Sequence, residues 1–145
     1  MSNPLYVVAV DGTENGARAL GFACKLAKQS GASLLLAHVI NWSGTMPISP
    51  LEVVDQPLDK AKEEDITREK ILAPALETAK AAGVKADSWF NWGHPAKQMQ
   101  KLANDKGAVM IIMGKSGHGT IAELVLGSVS NSLVHHSNLP VVLVP

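Results

Sequence analysis

Runs of apolar residues recur five times along the chain, at Leu5 to Val10, Ser33 to Val39, Ala86 to Asn91, Ala108 to Met113 and Pro140 to Val144, each of strand length. The first, second, fourth and fifth are nearly continuous hydrophobe rather than alternating. That is the pattern of strands covered by helices on both faces, and it predicts a mostly parallel sheet. The third, Ala-Asp-Ser-Trp-Phe-Asn, is more polar and fits an edge position with one neighbour. Between the runs the period lengthens. Ala17, Leu20, Ala23, Cys24 and Ala27 form a helical stripe, with Thr13 or Asn15 as its cap and Gly31 as its stop. A second helix is predicted from about Leu58 to Ala82, with Ile66, Leu72, Leu76 and Ala79 inward, a kink or lost turn at Pro74 and Gly83 at its end. A third opens at Pro95, where a missing N–H costs nothing, and carries Met99, Leu102 and Ala103 before Gly107. A fourth covers Ser128 to His136.

Strand and helix alternate throughout, and with right-handed crossovers this order predicts an α/β fold, an open doubly wound parallel five-stranded sheet. The connection from Ile40 to Pro57 exceeds ordinary loop length and carries Trp42, Met46, Pro47 and Pro50; it reads as a lid, a partner contact or a disordered segment. At 145 residues the chain is one domain, 1–145, with room for a core that needs no disulfide or metal staple. Cys24 has no partner, which excludes a disulfide scaffold, and its place on the helical stripe makes it an inert core residue. The 13 Lys plus Arg balance 13 Asp plus Glu without a basic block, which argues against partners bound through nucleic-acid phosphates or anionic lipid. No apolar run approaches the roughly 20 residues of a membrane helix. A charged-then-apolar leader is absent from the sequence, so the expected location is cytoplasmic.

Open parallel sheets bind ligands outside the carboxyl ends of their strands, where the strand order reverses. Two strand-to-helix turns are unusual there: Val10-Asp11-Gly12-Thr13, and Gly114-Lys115-Ser116-Gly117-His118-Gly119-Thr120. The glycines of the second let backbone N–H groups converge on an anion without Cβ obstruction. Gly127-Ser128 then aims the start of the last helix at the same ligand. Three motif readings fail on spacing. A Walker A loop needs glycine where Val109 stands; a dinucleotide fingerprint at Gly117 to Ala122 lacks a following strand with its acidic residue; a phosphoacceptor Asp is missing at Asn91-Trp92-Gly93. His94 reads as a cap or turn residue, and His135 and His136 favour the negative end of the last helix. Trp89 and Trp92 read as packing residues of the core or a lid. No His, Cys, Asp or Glu grouping has metal-ligand spacing.

The spacing Gly114-x2-Gly117-x9-Gly127-Ser128 resembles the nucleotide signature of the universal stress protein family. Val8 to Gly12, Leu34 to Val39, Gly93-His94-Pro95, Ile111 to Gly114 and Pro140 to Val144 extend the likeness along the chain. The resemblance implies an adenine nucleotide alpha hydrolase-like sandwich of strand order 3-2-1-4-5, with the reversal between strands one and four. It also implies a bound ATP or another adenine nucleotide, with any Mg2+ or Mn2+ carried by the phosphates and none held by the protein alone. Carried over by position, Ala9, Val10, Asp11 and Val39 hold the nucleoside, Gly114 the ribose side, and Gly117, Gly127, Ser128 and Val129 the phosphates. Two departures stand out. Ser116 replaces a basic or His residue, which moves phosphate charge onto Lys115 and His118, and Val109 stands where the family usually has Asp. The implied function is a homodimeric regulatory protein of the stress response that pairs through Val141 to Val144 and hydrolyses ATP slowly or not at all, with no catalytic residue. A weak ATPase or autophosphorylating protein using Ser128, and a nucleotide-free dimeric interaction module, are the alternatives. Against the first, the only carboxylate in either turn is Asp11, at the nucleoside end rather than the γ-phosphate.

Overall fold

The computed structural model describes residues 3–41, 60–115 and 127–145. Five strands, β1 (Leu5–Ala9), β2 (Ser33–Asn41), β3 (Ala86–Gly93), β4 (Met110–Gly114) and β5 (Val141–Val144), form one parallel sheet in the order β3-β2-β1-β4-β5. The reversal falls between β1 and β4, where Val7 stands opposite Ile111. Four helices connect the strands: α1 (Glu14–Ser30), α2 (residues 60–81), α3 (Pro95–Asp105) and α4 (Ser128–His136).

The continuous hydrophobic runs are explained by two cores, one on each face. Tyr6, Val8, Val10, Leu34, Leu36 and Ile112 pack with α1 and α2, whereas Val7, Leu35, Ala37, Val39, Ile111 and Met113 pack with α3 and α4. Successive residues of a strand thus enter different cores, which is why both sets are hydrophobic. β3 pairs with β2 alone among the described strands, and its Asp87, Ser88 and Asn91 are exposed, as its polarity predicts. Trp89 joins the α3 face. Trp92 lies against α2, its indole N–H donating to Glu64 Oε2 at 2.7 Å, with the Lys60 ammonium 5.5 Å from its ring centre. Two residues earlier on β3, the Arg68 guanidinium lies 4.9 Å from the centre of the Phe90 ring.

Local signals set most helix ends. Thr13 Oγ1 accepts from the Gly16 N–H at 3.1 Å to cap α1, and Gly31, at φ +73°, closes it in the left-handed conformation. His94 Nδ1 accepts from the Lys97 N–H at the start of α3. Two expectations about buried faces are corrected. Ala17 is exposed, just past the rim of the α1 face, and Ala19 is fully buried instead. In α2, Ile66 is 39% exposed while Thr67 is 1% exposed. The cause is a π-helical stretch over Thr67–Leu72, in which the Ala73 N–H reaches back to the Arg68 carbonyl. In a regular α-helix the Pro74 ring would press on the Lys70 carbonyl; the wider turn relieves that clash without breaking the helix. The widened turn also brings Thr67 and Leu72, five residues apart, onto one buried face. The Thr67 hydroxyl, buried there, donates to the Glu63 carbonyl at 2.9 Å.

Candidate functional site

The carboxyl ends of β1 and β4 lie side by side where the strand order reverses, the place at which an open parallel sheet forms its ligand crevice. Ala9, Val39 and Val129, three of the predicted nucleoside and phosphate positions, belong to the core on the α3 and α4 face, together with Met113. Gly114, Lys115, Gly127 and Ser128 surround the β4 end of the crevice. Ser116, Gly117 and His118, and most of the long connection after β2, lie outside the described residues.

Asp11 shapes the first turn. Its Oδ1 accepts from the Thr13 N–H at 3.0 Å and from the Thr13 hydroxyl at 2.6 Å. This is an Asx turn that hands over to the Thr13 cap of α1. Gly16 is required beneath it, because a Cβ there would meet Asp11 Oδ1 and lie 3.4 Å from Asp11 Cγ. Gly12, at φ +79°, supplies the left-handed residue that turns the chain between the strand and α1. Oδ2 of Asp11 has no partner among the described residues, so one carboxylate oxygen remains available to a hydroxyl donor in the crevice. Val10 is otherwise engaged. Its N–H donates to the Ala37 carbonyl at 2.9 Å, its carbonyl accepts from His38 Nδ1 at 2.8 Å, and its side chain is buried on the opposite face. A carbonyl only accepts, so His38 carries its proton on Nδ1.

The second half of the site is backbone. Lys115 donates its N–H to the Val144 carbonyl at 2.8 Å, and its own carbonyl accepts from the Gly127 N–H at 3.1 Å. Gly127 therefore gives its N–H to Lys115 rather than to a ligand. Gly127 caps α4 in extended conformation with no side-chain cap bond, and the first turn holds no acidic residue. The N–H groups of Ser128 and Val129 have no partner among the described residues. By contrast, α1 and α3 are capped by Thr13 and His94. With its dipole, the start of α4 presents two free donors to an anion.

Sequence reasoning gave no site role to three polar residues that build this crevice. Asn15 is 7% exposed and donates from Nδ2 to the Val144 carbonyl at 3.2 Å. Gly114 must be glycine beside it, since a Cβ would lie 2.7 Å from Asn15 Cγ and 3.2 Å from its backbone carbonyl carbon. Ser130 is 2% exposed and donates to the Lys115 carbonyl at 2.9 Å, with the Gly114 carbonyl 3.2 Å away. His38 ties β2 to the turn after β1. Each left a weak trace in the sequence: a polar residue inside an otherwise apolar run or helix face. Among the described residues no group of His, Cys, Asp or Glu could hold a metal ion. Two hollows of about 400 Å³ lie elsewhere, one around Leu5, Lys85 and Trp89 and the other around Trp89, Gln98 and Lys101. Neither reaches the crevice.

The model of the universal stress protein family matches residues 6–145. Universal stress protein YxiE of Bacillus subtilis strain 168 is 34% identical over 145 residues, covering 95% of this chain and 96% of that one. A universal stress protein solved in complex with cAMP is 27% identical with a TM-score of 0.67, covering 99% of this chain and 98% of its own. The universal stress protein from Archaeoglobus fulgidus solved in complex with dAMP shares the fold at 19% identity, with a TM-score of 0.69 and the same coverage of 99% and 98%.

Proposed function

Because the chain belongs to the universal stress protein family, we propose that it is an adenine-nucleotide-binding regulatory protein of the stress response, with ATP as its ligand. One observation supports this reading: the start of α4, without a side-chain cap or acidic residue, is joined to the end of β4, the strand at which the order reverses. Asp11, Ala9 and Val39 hold the nucleoside at one end, and the Ser128 and Val129 N–H groups take the phosphates at the other. Cyclic AMP and dAMP, the ligands of two solved relatives, share adenine, a sugar and a phosphate on its 5′ carbon, which fits this division. Lys115 adds positive charge near the phosphates, and a divalent ion arrives with them. Slow or absent hydrolysis is part of the same reading. The described crevice carries one carboxylate, Asp11, at the nucleoside end, and no base beside the expected γ-phosphate. β5 is an edge strand whose residues Val141–Val144 are all partly exposed and uncharged, so a homodimer through it is part of the same proposal.

Thermal melting tests the ligand. At a hundred times its Kd, Mg-ATP stabilises the fold by about 2.7 kcal/mol, a shift of several degrees that Mg-GTP does not reproduce. Ser128→Pro tests the geometry. Gly127 stands at φ −61° and ψ 159°, the conformation a following proline demands, and the first helical position tolerates proline. The variant therefore keeps its fold, loses one donor to the phosphates, and binds ATP about tenfold more weakly than Ser128→Ala. No melting shift at millimolar ATP overturns the nucleotide reading in favour of the ligand-free interaction module.

A further inference from the structure

The end of β4 and the start of α4 are joined through one carbonyl, that of Lys115, and one buried hydroxyl reaches it. Ser130 sits in the first turn of α4 and reaches across to the end of β4, donating to the Lys115 carbonyl at 2.9 Å with the Gly114 carbonyl 3.2 Å away. The Gly127 N–H meets the same Lys115 carbonyl at 3.1 Å. Lys115 is in turn held to β5 through its N–H, and Asn15 holds the same Val144 carbonyl from α1. Gly127 provides no side-chain cap, and Val129 and Leu133 pack into the core, so among the described residues Ser130 supplies the side-chain hydrogen bond at this end of α4.

We infer that Ser130 is a positioning residue for the phosphate-binding end of the crevice. Its hydroxyl fixes the first turn of α4 against β4, and so aims the Ser128 and Val129 N–H groups at the ligand. This inference rests on the nucleotide reading and adds to it a determinant of how strongly the site distinguishes nucleotides by their phosphates. Serine near a helix start ordinarily bonds within its own turn. Here it is buried and directed to a different element, which gives it a role other than capping. Misdirecting two charge-assisted donors weakens contacts to phosphate and leaves the nucleoside end, built from β1 and β2, unchanged.

The test is a titration of wild type, Ser130→Ala and Ser130→Thr with adenosine and with Mg-ATP, alongside amide hydrogen exchange of the ligand-free proteins. Ser130→Ala is expected to lose about tenfold in ATP affinity while adenosine affinity stays within about twofold. Exchange at the Gly127 amide accelerates in the same variant. Ser130→Thr keeps the hydroxyl and restores both. An ATP-to-adenosine affinity ratio in Ser130→Ala equal to that of the wild type overturns the positioning role, whether both affinities hold or both fall together. A wild type that binds neither ligand overturns the nucleotide reading itself and the role with it, an outcome distinct because it appears before any substitution is made.

Discussion

At the scale of single residues, the crevice depends on small side chains placed where larger ones would displace polar neighbours. Gly114 is the clearest case. Its glycine was legible as part of a spaced motif, but the physical reason lies 99 positions earlier in the chain, in the buried Asn15 side chain against which a Cβ would press. No local reading of β4 reveals that contact. Gly114→Ala forces Asn15 away from the Val144 carbonyl and is expected to lower stability by about 1–3 kcal/mol, measured by denaturant unfolding. Asn15→Ala in the same background then costs less than in the wild type, because the clash is gone. Additive costs would contradict the contact. Asp11 shows the opposite balance. Its place in a strand-to-helix turn was legible, and Oδ1 forms that turn, leaving Oδ2 for the proposed ligand.

At the scale of elements, legibility followed the regularity of the backbone. β1, β2, β4 and β5 were readable because their side chains pack on both faces of the sheet and are nearly all hydrophobic, and α3 because Pro95 and Gly107 mark its ends. α2 was misread at Ile66, because a widened turn shifts the phase of the buried face and no period-3.6 pattern anticipates it. The polar cluster that α2 sets on β3 was equally hidden, since nothing in the spacing of Lys60, Glu64 and Arg68 shows that Phe90 and Trp92 lie against them. Trp92→Phe removes the indole donor to Glu64 and is expected to cost about 1–2 kcal/mol, a lowering of Tm by several degrees. Glu64→Gln keeps an acceptor and should cost less. Equal melting of wild type and Trp92→Phe would show that the bond contributes nothing to holding α2 on the sheet.

At the scale of the whole molecule, the strand order carries the functional argument. The sheet order β3-β2-β1-β4-β5 places the turns after β1 and β4 side by side at the reversal. Those are the two turns whose composition marked them in the sequence. The order itself was legible only through the family resemblance, because alternating strands and helices are compatible with several parallel arrangements. The donors at the start of α4 were partly legible: Gly127-Ser128 signalled a helix start, but not that Gly127 gives its own N–H to Lys115. The central claim is that this crevice binds an adenine nucleotide with its phosphates on α4. An 15N–1H amide spectrum recorded during titration with Mg-ATP, and again with adenosine, tests it most directly. The account predicts that ATP moves the Ser128 and Val129 amides together with those of Asp11 and Val39, and that adenosine moves only the latter pair. Amides of the crevice that stay in place at millimolar ATP would contradict it.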